Sequence, residues 1–102
     1  MNIGERISRL HFAEITDLDE VIYYESEFLS EISDLNCTPV ENAVLKCALY
    51  ATLIHVSVNL TTVSDSIICT YFDEFMKHAK KGNYNTSPIR IIIDERRPNI
   101  LS

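Results

Sequence analysis

The side chains best suited to metal binding or nucleophilic catalysis are His11, His55, His78, Cys37, Cys47 and Cys69. Their spacing does not serve that chemistry. A zinc site read from sequence needs pairs such as CxxC, HxxxH or HExxH, which place two ligands on one turn. None occurs here, so no metal and no cofactor is expected. A Cys–His nucleophile pair assembles in space rather than along the chain. The cysteines, however, project from apolar helix faces or precede a helix, as inert buried thiols do. His55 shares a polar strip with Glu41, Thr52 and Asn59, which suits a satisfied, half-buried imidazole. With only two glycines, the chain also lacks a loop that brings backbone close to phosphate. The expectation is a protein that is not an enzyme.

Carboxylates form the stronger pattern. Residues 10–45 contain no Lys or Arg, yet hold Glu14, Asp17, Asp19, Glu20, Glu25, Glu27, Glu31, Asp34 and Glu41. The whole chain carries −6, so the rest of it is net positive. Concentrated like charge repels itself and destabilises a compact state. A basic partner is one reason to retain it. Glu27 and Glu31 stand at i,i+4 without a local cation, a pairing that costs roughly 0.2–0.5 kcal/mol. Asp34 lies at the helix end where an acid is disfavoured. Glu25 projects into an apolar stripe, and a buried carboxylate needs a partner. An arginine from either terminus, Arg6, Arg9 or Arg90, is the expected one.

These groups are positioned by a mainly α domain spanning 1–102. Its 46% hydrophobic content is globular rather than disordered. Asp17 with Glu20 resembles a capping box. Leu18, Val21, Ile22, Phe28, Leu29, Ile32 and Leu35 then trace one apolar stripe. Thr38-Pro39-Val40-Glu41 is a sharp helix start, with Thr at the N-cap, Pro at N1 and Glu at N3. The helix it opens extends to about residue 59 and is apolar on two sides, as a central helix would be. A further helix is expected from residue 61 or 62 to Gly82, a natural C′ glycine. Its apolar face is Ile68, Tyr71, Phe72, Phe75, Met76 and Ala79. Three long helices thus pack around a central buried one. The termini are ambiguous. Ile3, Ile7 and Leu10 have helical spacing, whereas Leu10 and Phe12 alternate like a strand. Residues 89–93 are β-branched and favour a short strand, although Ser87-Pro88 also suits a helix start. A small strand pair between 7–13 and 89–93 is the expectation.

On the second helix, Asp19, Glu20, Tyr23, Tyr24, Glu27, Glu31 and Asp34 form the candidate partner-binding set. A tyrosine ringed by acids offers an amphipathic anchor with a charged rim. The leading expectation is therefore a small acidic inhibitor that neutralises a basic protein, by analogy of size and charge with immunity proteins and antitoxins. A toxin nuclease is one such partner. A pI near 4.9 disfavours direct binding of nucleic acid, which needs a basic footprint. It is compatible with a phage-type nucleic-acid mimic or anti-defence protein, the second expectation. The third is a helical adaptor, chaperone or homodimer module. An odd cysteine count and the absence of an apolar leader point to the cytoplasm. No apolar run is clean enough for a membrane span.

Overall fold

The computed structural model describes residues 2–11 and 13–101. The chain forms five helices: α1 (Ile3–Leu10), α2 (Leu18–Asp34), α3 (Pro39–Ser57), α4 (Asp65–Gly82) and α5 (Ser87–Arg96). α3 packs against all four others, most extensively against α4, and α1 also touches α2. Its buried residues Ala43, Cys47, Leu49, Tyr50, Leu53, Ile54 and Val56 point to several sides. The core they join includes Ile7, Val21, Phe28, Ile32, Ile68, Phe75, Ile89 and Ile93.

The starts of the long helices follow local chemistry. Asp17 accepts a hydrogen bond from the Glu20 N–H at 2.9 Å. Thr38 and Glu41 complete a reciprocal capping box at 3.1 and 3.2 Å, which satisfies two otherwise orphaned donors.

The expected strand pair is absent. Among the described residues there is no strand, and both terminal segments are helical. Asn2 caps α1 by accepting from the Glu5 N–H. Ile7 and Leu10 are buried one turn apart, so the helical spacing prevails over the alternation (Phe12 lies outside the described residues). In α5, Ser87-Pro88 opens the helix, with Pro at a position where its missing N–H costs nothing. Ile89 and Ile93 are buried, whereas Ile91 is exposed. Burial on a helical face outweighs the β-propensity of the isoleucines.

α4 begins later than expected. Residues 58–64 form a turn stabilised by bonds such as Leu60 N–H to Ser57 O at 3.1 Å. Its end also differs. Gly82 is the last helical residue, and Asn83 takes the left-handed conformation with φ 53°. Asn tolerates that region. Gly82 fits closely against α3: a Cβ there would lie 3.2 Å from Val44 Cγ2, a tight contact that the Val44 side chain would have to relieve.

Candidate partner-binding face

α2 buries Val21, Phe28 and Ile32 and turns the opposite side outward. That side presents Asp19, Ile22, Tyr23, Ser26, Ser30, Ser33 and Asp34, all exposed. Ile22, expected in the core, is 48% exposed, and Leu35 is exposed as well. On a helix of 100° per residue, Ile22 lies well off the line through Val21, Phe28 and Ile32. A narrower reading of the stripe would have placed it outside.

Tyr23 is 60% exposed. Its ring meets Tyr24 edge-on, with centroids 5.3 Å apart. Tyr24 in turn stacks on buried Phe28 at 6.4 Å. The outward ring is thereby braced from the core through an aromatic pair. Asp19 sits one turn before it. Neither Asp19 nor Asp34 has a cationic partner among the described residues.

The other acids of α2 are engaged within the fold, Glu25, Glu27 and Glu31 by partners beyond local reach, although no local cation faces them. Arg6 of α1 forms ion pairs with Glu31 and with Glu27, the latter at 3.7 Å. Its guanidinium also lies over the Phe28 ring, 5.2 Å from the centroid. Glu20 accepts from Thr16 Oγ1 at 2.9 Å. Asp17 and Glu41 are used in caps. Glu20, Glu27 and Glu31 thus occupy a half-buried flank beside the exposed row of Asp19, Tyr23 and Asp34. Arg6 lies 25 positions from Glu31, and no i,i+4 rule reaches that far.

Glu25 also differs from expectation. Its partners are tyrosines, not an arginine. Tyr50 of α3 donates to Glu25 Oε2 at 2.7 Å, and Tyr71 of α4 donates to Oε1 at 3.3 Å. Burial, with the adjacent carboxylate, pushes both phenols above their ordinary range, so each remains a donor. His78 stacks on Tyr50 at 6.3 Å and reaches Glu74 at 3.4 Å. Burial and then Lys46 lower its pKa, while Glu74 opposes them. The network ties α2, α3 and α4 together and holds α2 in place. Tyr50→Phe removes the shorter donor and leaves the carboxylate with one. A hydrogen bond to a charged group contributes roughly 1.5–3 kcal/mol. A loss of that size in urea denaturation is the expected result, and an unchanged midpoint would contradict it.

Comparison with protein families, curated proteins and solved structures gives no match to this chain. Burial pushes the Cys47 thiol up to about 12, which leaves almost no thiolate at neutral pH. No group of three or more His, Cys, Asp or Glu side chains converges on a common point among the described residues. No helix among them is long and apolar enough to cross a membrane.

Proposed function

We propose that this chain is a non-enzymatic binding protein that occludes a basic protein partner with the outer face of α2, in the manner of immunity proteins and antitoxins. The observation that carries the reading is Tyr23: a large, exposed ring braced against Tyr24, next to exposed Ile22 and unpaired Asp19. Tyrosine contributes much contact area at low entropic cost, and a braced ring loses still less on binding. The acids divide into two roles. Asp19 and Asp34 meet Lys or Arg of the partner directly. Glu20, Glu27 and Glu31 add to the negative field, the charge of Glu27 and Glu31 moderated by Arg6. Enzymes that act on nucleic acid, toxin nucleases among them, carry the basic surfaces that such a field attracts. A nucleic-acid mimic would need many outward acids, and most of those on α2 are engaged within the fold.

The roles are separable by kinetics with the partner in hand. Tyr23→Ala is expected to speed release at least about tenfold, because a lost anchor acts mainly on dissociation. Asp19→Lys with Asp34→Lys is expected to slow association and reduce its dependence on salt. Both changes are at exposed positions, and the lost ring pair or the cation in the first turn of α2 is expected to cost no more than about 1 kcal/mol of folding stability. Unchanged kinetics in both variants would move the interface off this face.

A further inference from the structure

α1 is the shortest helix of the fold. Eight residues are too few for a helix to persist alone, so docking must hold it. Open clefts flank it on three sides. One of about 600 Å³ separates it from Val44, Leu45 and Ala48 of α3. A second, of about 530 Å³, lies toward Asp34 and Leu35. A third, of about 270 Å³, lies toward Tyr24 and Phe28. Ile7 and Leu10 anchor it in the core, and Arg6 ties it to α2.

Its C-terminal end has a different fastening. His11, the C-cap of α1, places its ring edge-on to His55, with centroids 3.9 Å apart. His55 belongs to the last turn of α3, and Arg96 to the last turn of α5. The charged or titratable groups acting on His55 are His11 and Arg96. No carboxylate opposes them at His55 among the described residues. Among the described residues the ion-pair partner of Arg96 is Glu95, at 4.0 Å. Helix C-termini favour cations, yet burial, then His11 and Arg96, draw the His55 pKa below its ordinary 6.5. The uncharged imidazole thus belongs to the docked state. Docking is fully supported above pH 6.5 and loses support as pH falls through the lower, folded-state value.

We propose that α1 is an acid-released latch: a proton on His55, set against His11 and Arg96, undocks α1 from α3 and uncovers Glu27 and Glu31. The inference goes beyond the binding reading and stands without it. Its chemistry is an equilibrium protonation. The proton comes from solvent, and no bond other than N–H forms.

Amide hydrogen exchange on the full chain tests it, at about pH 7.5 and about pH 5.5, with intrinsic exchange rates corrected at each pH. The opening equilibrium of α1 amides is expected to rise at least about threefold, as linkage to a lowered imidazole pKa requires, while α4 amides keep their protection. In His55→Gln the rise is expected to fall below about twofold. His11→Gln, at an exposed position, is expected to behave likewise and serves if the first variant folds poorly. Equal protection of α1 at both pH values in the unaltered chain would overturn the latch. So would an equal rise in α4, or an undiminished rise in the variants.

Discussion

Phe75→Ala lowers the stability of the fold by about 3–5 kcal/mol, the range for deleting a fully buried phenylalanine. Phe75 is 0% exposed, and α4, which bears it, packs more extensively on α3 than any other helix does. Its ring lies between Phe72, centroid 6.3 Å away, and Tyr84, edge-on at 6.2 Å. Truncation removes the transfer free energy of the ring and leaves a cavity that neighbouring rings cannot fill without leaving their rotamers. Urea denaturation followed by circular dichroism checks it. The midpoint is expected to fall with little change of slope. A loss below about 1 kcal/mol would mean that the α3–α4 seam is not the main source of stability.

Arg97→Ala is expected to cost about 3 kcal/mol, through groups it leaves without a donor. Arg97 follows α5 and reaches back to the turn between α3 and α4. Nη2 donates to Leu60 O at 2.6 Å, and Nη1 donates to Val63 O at 3.1 Å and to Asp65 Oδ1 at 2.6 Å. The Arg97 side chain is only 18% exposed, whereas that of Asp65 is 57% exposed. The two carbonyls therefore matter more than the ion pair. Asp65→Asn is expected to cost less than about 1 kcal/mol, as exposed pairs do. Lysine cannot reproduce the fork, so Arg97→Lys restores the charge but little of the stability. In a domain of this size about 3 kcal/mol corresponds to a fall in Tm of more than about 10 °C. If Asp65→Asn matched Arg97→Ala, the ion pair rather than the carbonyls would hold the turn.

Features decided within one turn were legible in the sequence. The Thr38–Glu41 box and the Asp17 cap start their helices as local chemistry dictates. Features decided by distant contacts were not. A glycine after α4 suggests a left-handed C′ residue, but Gly82 stays helical, close against Val44, and Asn83 makes the turn. The isoleucines of 89–93 look like a strand until α3 supplies a surface that a helix can cover. The acids of α2 looked unpaired because Arg6 comes from 25 positions away. Glu25 gains Tyr71 from 46 positions away. Charge counting found the acidic segment and Tyr23, but it could not find which acids the fold itself employs. The apolar stripe, read too widely, placed Ile22 in the core, although that residue extends the exposed face.

That the outer face of α2 is a binding face for a basic protein is the central claim, and affinity capture tests it most directly. The baits are the unaltered chain and two variants, Tyr23→Ala and Asp19→Lys/Asp34→Lys, with elution along a salt gradient and identification by mass spectrometry. Glu27 and Glu31 stay unaltered because Arg6 makes them part of the fold. The expected result is one basic protein retained by the unaltered chain to high salt, and lost early from both variants while they remain folded. Equal retention by all three baits, or no basic protein on any of them, would contradict the claim.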